Sequence, residues 1–177
     1  MAVFHLDVKD LRNRAEEIKA GDEVFLSGTI YTARDAAHKK IKALIDEGKP
    51  LPFELNGACI YYAGPTPERP GTVIGSCGPT TSSRMDVFTP LLLDNGLCAM
   101  IGKGQRSDTV VDSIKKNKAL YFCAIGGAGA LCAMSVKKLE VIAFEELGCE
   151  SVKKLTVEEF PVICTIDCTG GNMFERK

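Results

Sequence analysis

Residues 22–46 constrain the fold most strongly, because two segments of different hydrophobic periodicity follow one another there. The run DEVFLSGTIY at residues 22–31 is rich in apolar and β-branched residues and predicts a strand. The run ARDAAHKKIKALID at residues 33–46 places apolar side chains at helical spacing, and Gly-Lys-Pro at residues 48–50 predicts its end. A strand that leads directly into an amphipathic helix favours an α/β fold.

The rest of the chain continues this mixture of short strands and helices. The further predicted strands are ACIYYAG (58–64), GTVIGSCG (71–78), LCAMIGKG (97–104), KALYFCAI (118–125), LEVIAF (139–144) and FPVICTIDCTGGN (160–172), the last closed by a Gly-Gly turn. The further predicted helices are residues 83–94, interrupted near Pro90, residues 107–117, and a short helix that follows the glycine-rich start of residues 126–138. We therefore predict a single α/β domain with a mixed sheet over residues 1–177.

Composition excludes several classes of protein. The formal net charge of −1 gives no basic excess for nucleic-acid binding. The sequence contains no run of roughly 20 apolar residues of the kind that crosses a membrane, and residues 1–19 lack the apolar centre of a signal peptide. These observations predict a cytoplasmic protein.

Eight cysteines are spread along the chain, at positions 59, 77, 98, 123, 132, 149, 164 and 168. Most of them lie inside apolar runs such as LYFCAI, and no CxxC pair occurs. Free cysteine packs as a small hydrophobe, and an isolated CxxxC is poor evidence for a metal site. We predict that these residues fill the core, ligate no metal and indicate a reducing compartment.

The stretch GPTTSSRMD, residues 78–86, gathers hydroxyl groups and one cation between two apolar segments. If a helix begins near Thr80, Thr80 and Arg84 share one face, and the unpaired N–H groups of its first turn favour an anion. The alternative is ordinary capping, with Ser83 as N-cap and Asp86 in the first turn. From these residues alone, capping is favoured over an anion site.

Two further cations follow predicted strands. Arg34 lies four residues before His38 at a strand-to-helix junction, and the alternative is an exposed first helical turn with a solvated histidine. Lys103 lies between two glycines, which allow unusual backbone angles and close approach of a ligand; the alternative is an ordinary turn. Arg34, Arg84 and Lys103 together could neutralise a small dianion such as a dicarboxylate.

The run AIGGAGAL at residues 124–131 imitates part of a dinucleotide-binding fingerprint, with Glu145 about 20 residues on. Cys132 takes the place of the third glycine, and too little chain follows to complete a doubly wound sheet. Close packing of the backbone at a strand end explains these glycines better than a nucleotide site does.

Three segments of the sequence closely resemble one family. SGTIYTARDAAHKK, the long run from LPFELNGACIYYAG through GPTTSSRMDVFTPLLL, and MIGKG are similar to the β subunit of two-subunit class I fumarases and L-tartrate dehydratases. In one-chain members the same region is the C-terminal domain. The likeness continues through AIGGAGAL, EVIAFEELG and FPVICTID, so it covers nearly the whole chain.

The resemblance implies a swivelling β/β/α domain that takes part in the hydration and dehydration of a C4 dicarboxylate, fumarate to L-malate above all. It also implies a [4Fe-4S] cluster that is ligated by three cysteines of an α subunit and not by this chain. Iron of the cluster would act as a Lewis acid on the substrate. The implied assembly is α₂β₂, with the β subunit forming a homodimer as an alternative.

The resemblance also implies roles for four residues of this sequence. Arg34, Arg84 and Lys103 match the family's carboxylate-binding cations, and Thr80 matches its proposed catalytic base. Ser82, Ser83 and Asp86 would only hold the turn. Because an alcohol is a weak base, Thr80 would need an activating neighbour, which the resemblance leaves to the partner subunit.

Three alternatives remain open at this point. The first keeps the chemistry and changes the substrate to L-tartrate or a methylated dicarboxylate. The second is a non-catalytic module that binds an anion at a helix N-terminus. The third is a nucleotide-binding module built on residues 124–131.

Overall fold

The predicted strand and helix at residues 22–46 are present in the computed structural model, which describes residues 1–124 and 129–175. The strands are β1 (Val3–Asp7), β2 (Glu23–Thr32), β3 (Cys59–Tyr61), β4 (Ala99–Gly102), β5 (Leu120–Ala124), β6 (Val136–Ala143) and β7 (Val152–Ile166). The α-helices are α1 (Leu11–Arg14), α2 (Asp35–Asp46), α3 (Thr89–Asp94), α4 (Asp108–Asn117) and α5 (Gly129–Ser135). Short 3-10 helices cover Val8–Asp10, Ala15–Glu17, Ser82–Met85 and Glu145–Glu150.

The seven strands form one mixed sheet in the order β1-β2-β3-β4-β5-β7-β6, so the prediction of an α/β fold with a mixed sheet is confirmed. Strands β1 to β5 run parallel, and β7 is antiparallel to β5, β2 and β6. Because the 15-residue β7 pairs with both β5 and β2, strands β2, β3, β4, β5 and β7 close into a barrel-like ring.

Alternating side chains of the ring pack into two separate apolar layers. Tyr61, Ile101 and Phe122 belong to one cluster of buried residues, which also receives the N-terminal segment. Their neighbours along the strands, such as Met100 and Tyr121, belong to a second cluster with residues of α2, α3 and α4. This alternation follows from the period-2 geometry of strands. Because each face of the strands packs against one of the two clusters, the strands are apolar on both faces.

Two predicted elements are wrong. Residues 71–78 form an irregular loop and no strand, since Thr66 holds Ser76 and Gly75 in a local turn through backbone and side-chain hydrogen bonds. The single helix predicted over residues 83–94 is divided into the 3-10 helix Ser82–Met85 and α3, with Pro90 in the first turn of α3. Strand β1 was not predicted from the sequence.

The predicted role of the cysteines as core residues is confirmed for six of them, whereas Cys123 is half-buried and Cys149 is exposed. The buried six are Cys59, Cys77, Cys98, Cys132, Cys164 and Cys168. Among the helices of residues 1–124 and 129–175, none is both long enough and apolar enough to cross a membrane.

Candidate active site

The carboxyl ends of the parallel strands β2, β3 and β4 meet at one edge of the sheet, where α/β proteins commonly bind ligands. Arg34 follows β2, and Lys103 follows β4 directly. Thr80 returns to this edge after the long loop beyond β3, because its backbone N–H donates to the carbonyl of Tyr62 at 2.7 Å. The fold therefore brings residues that are far apart in sequence to a common edge.

Arg34 is the N-cap residue of α2, with extended backbone, rather than part of the helix. Its guanidinium lies against Gly64, where an added Cβ would come within 3.0 Å of Arg34 Nη1. Arg34 Nε is 3.7 Å from Glu150 Oε1, a loose ion pair. The arginine is thus partly neutralised and only partly exposed.

Lys103 and the segment Thr81–Ser82 are joined through their backbones. The Ser82 N–H donates to the Lys103 carbonyl at 2.9 Å, and the Lys103 N–H donates back to Ser82 Oγ at 3.0 Å. Thr81 and Lys103 also form an isolated parallel β-bridge. Thr80, one residue earlier, is therefore held close to the turn that carries Lys103.

Thr80 lies before the helix, so the condition under which it would share a helix face with Arg84 is not met. The 3-10 helix begins at Ser82, with Thr81 in the N-cap position and without a side-chain cap. Thr80 and Arg84 consequently do not share the face of one helix, and Ser83 is not the N-cap. Tertiary pairing with the Lys103 turn, instead of helix geometry, fixes the position of this segment.

Arg84 is paired with Asp35, the first residue of α2. Arg84 Nε donates to Asp35 Oδ1 at 3.1 Å, and Arg84 Nη2 lies 2.8 Å from Asp35 Oδ2 as an ion pair without hydrogen-bond geometry. The arginine side chain is 53% exposed, whereas the aspartate is 26% exposed and its Oδ2 is buried. This contact ties the 3-10 helix to α2 and brings Arg84 toward the segment that carries Arg34.

The two glycines around Lys103 have different functions. A Cβ on Gly102 would overlap Ser82 Oγ, so this glycine lets Ser82 approach the strand. Gly104 has φ of +83°, a conformation that side chains disfavour. The predicted importance of these glycines for backbone shape is confirmed.

Arg106 was missed from the sequence, although it is the most deeply buried cation near this edge. Its side chain is 0% exposed, and its Nε donates to Asp86 Oδ1 at 2.7 Å. Its Nη2 donates to Thr89 Oγ1 at 2.8 Å and to Tyr62 Oη at 3.3 Å. Burial by itself lowers the pKa of Arg106, but Tyr62, Asp86 and Tyr121 outweigh that effect and the pKa is raised.

The Arg106 guanidinium also contacts two aromatic rings, with Cζ 4.8 Å from the centroid of Tyr121 and 5.3 Å from that of Tyr62. Its signal in the sequence, an arginine three residues after Lys103 in GKGQRSD, resembles an ordinary polar turn. Asp86 additionally accepts the N–H of Ser107 at 2.8 Å. The prediction that Asp86 holds a turn therefore names the correct function, but with a partner that the sequence did not reveal.

His38 is completely buried, so the alternative of a solvated histidine is wrong. Its Nδ1 lies 2.8 Å from the Arg34 carbonyl, and since a carbonyl only accepts, Nδ1 carries the proton. The ring packs against Tyr62 and Phe88. Burial lowers the pKa of His38 to about 4, so the ring is neutral near pH 7.

Lys153 of β7 supports the segment that faces Arg34. Its Nζ donates to Ser151 Oγ at 2.8 Å and to the carbonyl of Cys149 at 3.0 Å, with the Gly148 and Ser151 carbonyls at 3.3 Å. Burial lowers its pKa. The lysine thereby fixes the turn that places Glu150 beside Arg34.

The proposed nucleotide fingerprint falls partly on residues 125–128, which lie outside the described residues. Beyond them, α5 has seven residues and leads into β6, which pairs antiparallel with β7. A doubly wound fold would continue with a parallel strand. The described part of this region therefore lacks the topology that a dinucleotide site requires.

Comparison with known proteins agrees with the resemblance seen in the motifs. The family model described as Fumarase C-terminus matches residues 2–177. The chain belongs to this Fumarase C-terminus family. Fumarate hydratase 2 of Leishmania major is 40% identical over 171 residues, which cover 96% of this chain and 30% of that protein. The anaerobic class I fumarate hydratase of Escherichia coli K12 is also 40% identical over 171 residues, covering 96% of this chain and 31% of that protein.

A second kind of relative in the family is a separate subunit. The β subunit of L(+)-tartrate dehydratase from Escherichia coli K12 is 36% identical over 163 residues, which cover 89% of this chain and 80% of that protein. The chain therefore spans about a third of the fumarate hydratases but most of the tartrate dehydratase subunit. Its relatives carry this region either within a longer chain or as a polypeptide of its own.

Proposed function

We propose that this chain is the β-type part of a hydro-lyase that reversibly hydrates a C4 dicarboxylate, with fumarate and L-malate as the leading pair. The observation that carries the proposal is the combination of family membership along the chain with Arg34, Arg84 and Lys103 near one edge of the sheet. A dianion requires cations on two sides, and guanidinium groups bind carboxylates through two parallel hydrogen bonds.

In this proposal Arg34, Arg84 and Lys103 bind and orient the two carboxylates of the substrate. Arg84 presents Nε and Nη2 to Asp35, and a planar guanidinium keeps further N–H donors on its other edges. Lys103 contributes a compact charge next to the segment of Thr80. These cations would also stabilise the negative charge that develops on a carboxylate when the neighbouring carbon loses a proton.

Thr80 is the residue to which we assign removal of that proton. It is half-buried, and its backbone is anchored to the Tyr62 carbonyl. Since an alcohol is a weak base, an activating group is required, and we assign that group to the partner subunit, together with the acid that protonates the leaving hydroxyl.

In this proposal the [4Fe-4S] cluster is ligated by the partner, since cluster ligands are thiolates that converge on one position. Within residues 1–124 and 129–175, no three His, Cys, Asp or Glu side chains converge on a possible metal position. We therefore assign the cluster to an α subunit.

The proposed assembly follows from the coverage of the relatives. A chain that matches 80% of a tartrate dehydratase β subunit fits a separate subunit that binds an α partner. We propose an α₂β₂ enzyme in the cytoplasm, in which residues 1–177 form one swivelling β/β/α domain that closes over the partner's cluster. A methylated dicarboxylate remains an alternative substrate.

L-tartrate is a second candidate substrate, because the same relative is named as an L(+)-tartrate dehydratase subunit. A candidate of another class is a non-catalytic module that binds an anion without a cluster partner. The cation arrangement is common to all of these and does not distinguish them.

The test is an anaerobic assay of this chain reconstituted with the α subunit, against fumarate, L-malate and both tartrates. We expect reversible hydration of fumarate by the pair and no activity of this chain alone. Turnover of L-tartrate only would transfer the proposal to tartrate dehydratase. Activity of this chain alone with a cluster spectrum, or no turnover of any dicarboxylate by the pair, would overturn it.

Arg84→Lys tests the role of a single cation, because it keeps the charge and loses the bidentate geometry. We expect KM to rise in the reconstituted pair. An unchanged KM and an unchanged kcat would reduce Arg84 to a residue of the turn. Arg14→Lys is the matched control, since Arg14 is a partly exposed arginine of the N-terminal segment that pairs with Glu17 and lies over the ring of Phe4.

A further inference from the structure

The segments that carry Arg84 and Lys103 are separate in sequence and meet through few hydrogen bonds. One connection is the reciprocal pair between Ser82 and Lys103. A second is Asp86, whose two oxygens accept from Arg106 Nε and from the Ser107 N–H. Arg84 lies between Ser82 and Asp86, and Lys103 lies three residues before Arg106. Arg84 therefore lies between the two connections on its segment, and Lys103 lies at the first of them on the other segment.

A buried guanidinium is an expensive way to join two segments, because its charge and its five N–H donors must all be satisfied. Arg106 is satisfied by groups from several elements. Its donors reach Asp86, Thr89 of α3, Tyr62 after β3 and, at 3.7 Å, the sulfur of Met100 in β4. A hydrophobic residue of similar volume could fill the same space, but it would make none of these directional contacts.

The ring of Tyr121, on β5, extends the network from Arg106 to the Ser82–Lys103 connection. The Tyr121 hydroxyl lies 2.8 Å from both Ser82 Oγ and the carbonyl of Gly104. Since the carbonyl only accepts, all groups are satisfied when Tyr121 donates to Gly104 and Ser82 donates to Tyr121. A continuous chain of hydrogen bonds then runs from the Lys103 N–H through the hydroxyls of Ser82 and Tyr121 to the Gly104 carbonyl.

We propose that Arg106 is a positioning residue that sets the separation of the substrate-binding cations Arg84 and Lys103 through Asp86 and Tyr121. The inference rests on the proposed function, because it concerns the substrate contacts of that site. Arg106 is buried and does not touch the substrate; it acts through the two turns that it joins. Its charge is neutralised locally by Asp86, so it leaves the charge of the cation site unchanged.

The first test is Arg106→Lys in the reconstituted αβ enzyme, assayed well below the melting temperature. An ammonium group cannot reach Asp86, Thr89 and Tyr62 together, so the two turns separate. A displacement of about 1 Å costs on the order of 100-fold in kcat/KM, and we expect a loss of that order with a raised KM. Ile18→Ala, a buried variant in the N-terminal segment, controls for lower stability and should keep KM.

Two further measurements keep the result interpretable. Tyr121→Phe removes only the hydroxyl that links Ser82 to Gly104, and it should also raise KM if Arg106→Lys fails to fold. Amide hydrogen exchange of this chain measures the connections without an activity assay. Protection of the Lys103 amide should fall in both variants, that of the Ser107 amide in Arg106→Lys, and that of the Ile163 amide in neither.

The outcomes separate this inference from the proposed function. An inactive wild-type pair would refute the proposed function, while the exchange experiment would still test the connection. An active wild type whose variants keep KM, kcat and amide protection would overturn the role of Arg106, even with a lower melting temperature. A raised KM together with lost protection at Lys103 and Ser107 supports it.

Discussion

Two arginine–aspartate pairs involve the same stretch of chain, residues 84–86, and they differ in burial and in partners. The Arg84–Asp35 pair is the more accessible one, with side chains 53% and 26% exposed, although Asp35 Oδ2 itself is buried. The Arg106–Asp86 pair is 0% and 12% exposed, and further hydrogen bonds hold both of its members. Water competes for the first pair and is excluded from the second.

This difference separates a binding cation from a structural one. Accessible ion pairs contribute about 0–1 kcal/mol, and the exposed guanidinium of Arg84 can offer its remaining N–H donors to a ligand carboxylate while Asp35 stays in place. Removing one partner of a buried pair costs about 3–5 kcal/mol, so Arg106 cannot exchange Asp86. Charge alone therefore does not identify a functional arginine; exposure and the number of partners do.

The largest expected effect is that of Asp86→Asn, which removes the charge that neutralises Arg106. We expect the free energy of unfolding to fall by about 3–5 kcal/mol, because an uncompensated guanidinium then lies in the core. Denaturant unfolding of this chain measures it. If the free energy of unfolding fell by less than about 1 kcal/mol, the Arg106–Asp86 pair would contribute no more than the exposed Arg84–Asp35 pair. The energetic distinction between the two pairs would then be wrong.

The second effect concerns His38, which is packed beside Tyr62 and is destabilised as a cation by burial and by Arg106. Its pKa is lowered from 6.5 to about 4, so below pH 6.5 the unfolded chain binds a proton that the folded chain does not. Stability should therefore fall by about 3 kcal/mol as the pH drops from about 6.5 to 4.

Unfolding curves of wild type and His38→Phe across this pH range measure the contribution. The variant should lose most of the slope between pH 6.5 and 4.5. Phe88→Leu is the packing control: it should lower stability equally at each pH and keep the slope. An unchanged slope of stability against pH in His38→Phe would show that His38 does not cause the loss of stability. The folded chain would then tolerate a protonated His38 near the charge of Arg106.

The smallest expected effect is that of Asp35→Asn on stability. The exposed pair should contribute under about 1 kcal/mol, and the contribution should shrink further as salt screens it. Unfolding free energies at low and high ionic strength check both statements. A loss comparable to that of Asp86→Asn, or one insensitive to salt, would remove the distinction between the two pairs.

Local patterns predicted the regular elements well. Helix α4 follows Ser107, whose side chain caps it, as the sequence pattern indicates. Strand β2 and helix α2 agree with the predicted segments within two residues at each end. The strand predicted over residues 71–78 is wrong although its apolar residues suit a strand. The N–H groups of Gly75 and Ser76 donate to Thr66 within the loop instead of to a neighbouring strand.

The candidate site was predictable only in its exposed members. Arg34, Arg84 and Lys103 match family motifs, and Arg34 and Lys103 lie just after the carboxyl ends of the parallel strands β2 and β4. Their roles stay predictions. Arg106 and His38 were not recognised, since a charged residue among other polar residues gives no local sign of burial. Arg106 packs against Tyr62 and Tyr121, and His38 packs against Tyr62 and Phe88, so both are buried by residues from distant parts of the sequence.

The sequence by itself determined the α/β class, most strand and helix positions and, through its motifs, the family. Periodicity and capping act over a few residues, so they can be read without knowing the partners. Tertiary structure alone decided that β7 closes the ring, that Ser82 rests on Gly102, and which arginine is buried. Those outcomes depend on contacts between residues that are distant in sequence, where burial converts an ordinary polar residue into a fixed one.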